Sequence, residues 1–156
     1  MPIRCRPVSG IHSKWPVLRD HTVEASDLDA DGIVRDECVS RWVAAAVNEY
    51  VDQCPRVLEL ASGAGSKLTQ TPVAVPPGAA MGQAASVLVS AGATEVHPTS
   101  FTVAVRIRPI GEDDHPPANA TCVVRVDDVS TGEPRELGNA IRDELIALQH
   151  AARYFN

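Results

Sequence analysis

The chain has 156 residues, 44% of them apolar and 22% charged, enough for one globular domain, residues 1–156, with a proper core. Twenty acidic residues against fourteen basic ones leave a net charge of −6, which argues against nucleic acid or an anionic membrane as the main partner. No run approaches the roughly 18 apolar residues of a membrane span, and no apolar stretch follows the first basic residues, so a cytoplasmic protein is expected.

Residues 1–14 have no clear period and read as an extended arm. "WPVLRDHTVE", Trp15 to Glu24, alternates as a strand, with Val17, His21 and Val23 on one side. The acidic loop "DLDADGIVRDEC" follows, and Asp36 can cap a helix over "ECVSRWVAAAVNEYVDQC". There Val39, Trp42, Val43, Ala46, Val47, Tyr50 and Val51 form one apolar stripe, and Pro55 ends it. "ASGAGSK", residues 61–67, is a flexible connection whose glycine and lysine spacing does not fit a phosphate loop.

"LTQTPVAV" reads as an edge strand, because Pro72 cannot donate to an inner ladder. "PPGAAMGQ" breaks the chain before three strands: Ala85–Val96, Phe101–Ile110 and Ala118–Asp128. Loops rather than crossover helices join them, so they pair antiparallel. "GNAIRDELIALQHAARYFN" closes as a helix capped by Asn139, with Ile141, Leu145, Leu148 and Ala152 on its buried side. This order predicts an α+β domain: one antiparallel sheet wrapped around the long helix, plus a C-terminal helix. Cys5, Cys38, Cys54 and Cys122 are scattered without CxxC or CxH pairing, so reduced thiols are expected, with no zinc site and no cofactor.

The acidic loop has two readings. Asp27, Asp29, Asp31 and Gly32 match positions 1, 3, 5 and 6 of a calcium loop, but position 12 is Cys38 where a bidentate glutamate is needed. No helix precedes the loop and no second loop pairs with it, so no metal is expected. The alternative is a carboxylate held beside a helix N-terminus, whose orphan N–H groups near Asp36 and Glu37 can stabilise an oxyanion. Hydrolysis of an ester or thioester needs that combination. No G-x-S-x-G elbow points to a serine hydrolase. Cys38 lies at a helix start but among acids, with no histidine placed beside it by sequence.

Asp27-Leu28-Asp29-Ala30-Asp31-Gly32-Ile33-Val34, with Arg41-Trp42 in the helix, resembles the D-x-D-x-x-G-I-V…R-W signature of 4-hydroxybenzoyl-CoA-type hotdog thioesterases. Thr99-Ser100-Phe101 and Met81-Gly82-Gln83 resemble weaker features of the same enzymes. The resemblance implies the hotdog fold, and Asp29 as catalytic nucleophile or general base. It also implies Gly32 as the residue permitting the tight turn, and the Asp36 N–H as oxyanion donor. Its implied partners are an acyl-CoA or acyl-carrier thioester and further copies of the chain in a homodimer or homotetramer. Ser100, Arg106 and Arg108 are candidate substrate-binding residues, with Arg125 a further candidate for the CoA phosphates. Where the family has aromatic residues and an asparagine at the helix entrance, this chain has "RDEC". That departure motivates a second expectation, a hotdog module that binds a thioester without cleaving it.

Overall fold

A computed structural model describes residues 16–111 and 116–154, with side chains through 148. The expected arm, Trp15, Cys5 and the side chain of Ala152 lie outside the described residues. Five strands form one antiparallel sheet: β1 (Val17–Thr22), β2 (Ser66–Ala74), β3 (Ser86–Val96), β4 (Phe101–Ile110) and β5 (Ala118–Asp128). Their spatial order is β1-β3-β4-β5-β2. The helices are α1 (Asp36–Asp52), α2 (Pro55–Ala61) and α3 (Gly138–Tyr154).

Register aligns the inner face of the sheet. Val87, Val89, Ala91 and Ala93 of β3 pair with Pro109, Ile107, Val105 and Val103 of β4. Ile107, Val105, Val103 and Phe101 pair in turn with Ala118, Ala120, Cys122 and Val124 of β5. Alanines at the middle of this face leave room for the helix that lies on it.

All seven residues of the α1 stripe are buried, together with Cys38. Each buried valine contributes about 1.5 kcal/mol or more from its apolar surface alone. The helix runs antiparallel to β1: Trp42 meets the His21 ring at a tilt of 49°, Glu49 accepts from Arg19 at 2.8 Å, and Gln53 donates to the Pro16 carbonyl at 3.2 Å. On its other flank Gln70 of β2 donates to Asn48 at 2.6 Å. Both edge strands therefore touch the same helix, and the sheet curls around it. Pro72 does lie on an edge strand, and the β2–β5 register shifts between Pro72 and Ala74.

Two helix starts differ from expectation, α1 by one residue and α3 by two. Arg35, not Asp36, is the N-cap of α1, and α3 begins at Gly138 ahead of Asn139. Pro55 ends α1 as expected but then opens α2 at its first position, where its missing N–H costs nothing. The N-terminus of α2 is completed from far away: the Glu144 carboxylate on α3 accepts the Arg56 N–H at 3.0 Å. Ile141 and Leu145 of α3 are buried as expected, and Leu148 packs against the same core.

Two thiols are sealed into this core. Cys54 Sγ donates to the Tyr50 carbonyl at 3.4 Å, and burial, with Glu144 adding repulsion, pushes its thiol up to about 12. Burial also raises Cys122. The thiolate is the reactive form, so both should resist alkylation in the native chain and label only in denaturant. Peptide mass spectrometry after iodoacetamide, with and without guanidinium, checks this.

Candidate active site

The acidic loop leaves the sheet at the end of β1. Val23 N still bonds the Ala85 carbonyl at 2.9 Å, and a single 3-10 turn, Ala25–Asp27, redirects the chain toward α1. The loop closes on itself: an isolated bridge pairs Leu28 with Val34, Asp29 N donates to the Ile33 carbonyl at 2.8 Å, and Gly32 N to the Asp29 carbonyl at 3.1 Å. Gly32 has φ +78, a left-handed conformation that glycine adopts without steric cost.

Asp29 sits at the centre of this loop, half-buried. Its Oδ1 accepts N–H groups from Asp31 at 2.8 Å and Ile33 at 3.0 Å, while Oδ2 has no hydrogen bond among the described residues. One oxygen is thus an anchor and the other is available. Asp36 follows in the first turn of α1, where its charge and that of Glu37 complement the helix dipole. The Asp36 carboxylate accepts the Gly78 N–H at 2.7 Å, holding a second 3-10 turn, Gly78–Met81, against the helix entrance.

Asp27 is the buried aspartate of this loop, at 6% exposure. Its Oδ2 accepts the Glu24 N–H at 2.9 Å and faces His21 Nε2 at 3.4 Å. Its Oδ1 receives the Cys38 thiol at 3.6 Å and faces the Arg41 guanidinium at 3.5 Å. The Glu24 backbone bond is the strongest influence on its carboxyl. Helped by His21 and Cys38, it outweighs burial and holds the group below the usual carboxylate range. The stability this adds is complete above the unfolded value of 3.8 and is lost as pH falls through the lower folded value. Asp27→Asn should therefore flatten the acid limb of a denaturation profile below about pH 4, followed by circular dichroism.

This cluster changes the reading of three residues. His21, which the sequence leaves between a site residue beside the loop and a partly buried structural histidine, meets Asp27 across the loop, with its ring 4.7 Å from that of Trp42. Cys38, beside which the sequence places no histidine, donates to Asp27 and accepts from Arg41 at 3.4 Å. The available signal was helical spacing, since Cys38 and Arg41 are one turn apart and share a face. An inward-turned Asp27 also removes the first ligand of a calcium loop. Among the described residues, no group of three His, Cys, Asp or Glu side chains could hold a metal ion.

The candidate substrate residues are not gathered with Asp29 in one chain. β4 begins beside Val96 and ends at Ile110, which pairs with Ser86, itself the partner of Thr22 where the acidic loop departs. Ser100, just before β4, is thus a strand's length, about 30 Å at roughly 3.3 Å per residue, from the end of β4 that lies beside the departure of the loop. Arg106 and Arg108 alternate with buried Val105 and Ile107, so they project from the face opposite α1. Arg125 is likewise on the outer face, 3.1 Å from Asp127. Strand parity and the length of β4 are what separate them from the loop.

No family model matches the chain, and no curated protein does. Solved structures match well in fold. A 12:0-ACP thioesterase from Umbellularia californica superposes with a TM-score of 0.63 at 11% identity, over 90% of this chain and 55% of that one. The chain thus spans about half the length of the plant enzyme. A thioesterase from Thermus thermophilus, solved with coenzyme A and zinc, gives 0.60 at 20% identity, over 89% of this chain and 98% of the other. A 1,4-dihydroxy-2-naphthoyl-CoA thioesterase from Synechocystis gives 0.59 at 11% identity, over 85% and 97%. A curled five-stranded antiparallel sheet around a long helix, shared with these structures across nearly its whole length, gives this chain the hotdog fold.

Proposed function

We propose that the chain hydrolyses an acyl thioester, with Asp29 as the catalytic carboxylate. The observation that carries this reading is the split use of the Asp29 carboxylate: Oδ1 is anchored by two N–H groups and Oδ2 has no hydrogen bond among the described residues, in the loop that opens α1. As nucleophile, Oδ2 adds to the thioester carbonyl and expels the thiolate; water then cleaves the mixed anhydride and restores the carboxylate. As general base, it takes a proton from a water that attacks the same carbon. In either route the carbonyl oxygen gains negative charge, and the N–H groups of the first turn of α1, Asp36 foremost, are the donors suited to it. The likeness to thioesterases supports the reading at the level of fold alone.

The substrate proposed is an acyl-CoA or an acyl-carrier thioester, without a hydroxybenzoyl group carried over. The assembly proposed is a homodimer or homotetramer, for which the outer edge of β2, where Val73 is 65% exposed, is the natural seam. Any role of Ser100, Arg106 and Arg108 in binding substrate is then exercised on a neighbouring copy. Among the described residues no helix is long and apolar enough to cross a membrane; the location proposed is the cytoplasm.

A second reading, a module that binds a thioester without cleaving it, is favoured by one observation: the Asp36 carboxylate and the Gly78 turn occupy the helix entrance. Thiol release across aliphatic and aromatic acyl-CoAs, for wild type and Asp29→Asn, separates the two. Turnover that disappears in the variant supports the enzyme. Equal silence with retained acyl-CoA binding supports the module.

A further inference from the structure

We propose that Asp27 is a positioning residue for the Asp29 site, held in place by a hydrogen bond from His21; the catalytic part of this inference rests on the hydrolytic reading above. Asp29 lies on a short loop whose two ends meet at Asp27 and Arg35, where the Arg35 N–H donates to the Asp27 carbonyl at 2.9 Å. Whatever fixes Asp27 therefore fixes both ends of the loop. Its carboxylate is gripped from three sides: His21 from β1, the Glu24 N–H from the 3-10 turn, and Cys38 with Arg41 from α1. Sheet, turn and helix are thereby pinned to one buried group, two residues from Asp29.

Electrostatics explains why the group is a carboxylate. A buried anion is costly unless it is paired and hydrogen-bonded, and Asp27 has the Arg41 charge plus facing groups at both oxygens. Facing a carboxylate oxygen that can only accept, His21 completes the set as a donor through Nε2. Its ring is steadied by Trp42. A loop that relaxes when one grip is lost moves Asp29 Oδ2 relative to the first turn of α1, and a misplacement of about 1 Å can cost about 100-fold in rate.

Two substitutions separate positioning from packing. His21→Phe keeps a ring against Trp42 and removes the hydrogen bond; His21→Gln removes the ring and keeps an N–H donor of similar reach. The first readout is amide hydrogen exchange of Asp31 and Ile33, whose N–H groups bond Asp29 Oδ1, with Val105 in β4 as the core reference. The Phe variant should exchange at both amides about tenfold faster with Val105 unchanged, and the Gln variant should lie within about threefold of wild type. The second readout is kcat and KM on the best acyl-CoA: kcat falls at least about tenfold in the Phe variant with KM within about twofold, and Gln restores it. Wild-type exchange in the Phe variant, or equal effects of Phe and Gln, would overturn the proposal. If the wild-type chain cleaves no thioester, the hydrolytic reading and the catalytic role fail, while the exchange comparison still decides whether Asp27 positions the loop.

Discussion

Gly78→Ala is expected to destabilise the chain by about 3 kcal/mol, lowering Tm by about 10 °C, far more than a glycine in an ordinary turn would suggest. Gly78 is buried, and its backbone lies directly over the Val34–Arg35 peptide. A Cβ there would collide with the Val34 carbonyl oxygen and stand 2.6 Å from its carbon and 3.0 Å from the Arg35 carbonyl carbon. These are backbone atoms and cannot swing aside. Relief requires moving the Gly78–Met81 turn away from α1, which breaks the Gly78–Asp36 hydrogen bond and disturbs the seat of the fully buried Met81. By contrast, a Cβ at Gly132 meets nothing within 4 Å, although φ +74 strains any side chain there. Thermal denaturation of Gly78→Ala and Gly132→Ala checks the argument: the first should lose several times as much stability as the second. Equal losses would mean that the turn does not hold the helix entrance.

Much of the architecture could be read from residue order because its signals are local. The α1 stripe buries as its spacing demands, and β4 and β5 show the alternation that assigns their inner face, while β3 is buried throughout from Val89 to Ala93. Pro72 correctly marks an edge. What escaped is held by partners distant in sequence. α2 buries only Val57 of its seven residues and draws its N-terminal hydrogen bond from Glu144, 88 positions away, so no window around Pro55 contains the cause. The place of β2 beside β5 rather than β3 is equally non-local. At the site, the D-x-D spacing marked the loop but could not rank its aspartates. Asp27 is buried and Asp31 exposed because of how the 3-10 turn orients the chain, and that turn has no periodic signature. Ser100, Arg106 and Arg108 lie apart from the acidic loop within one chain, which leaves a site built from two copies as the arrangement in which the resemblance would bring them to Asp29. A resemblance in motif carries no information about which end or face of a sheet a residue occupies.

Asp29→Asn is expected to lower kcat by about 100-fold to 10,000-fold while leaving the fold intact, and the loop geometry explains why the two effects should separate. Asparagine keeps an Oδ1 acceptor, so the bonds from Asp31 and Ile33 N–H survive. The other branch changes from a carboxylate oxygen to an amide NH₂, which can neither attack a carbonyl nor accept a proton from water. Stability should stay within about 0.5 kcal/mol of wild type. Asp29→Ala is the control in the other direction: it removes the anchor as well and should cost about 1–2 kcal/mol in addition to activity. Asp29→Glu keeps the charge but lengthens the arm, so its rate should fall below wild type even if the carboxylate is the reacting group. Rates from thiol release, set beside unfolding midpoints for all three variants, decide the matter. Should Asn retain wild-type turnover, the unbonded oxygen has no chemical role, and the loop's two N–H bonds to Oδ1 describe a structural turn at the head of a helix.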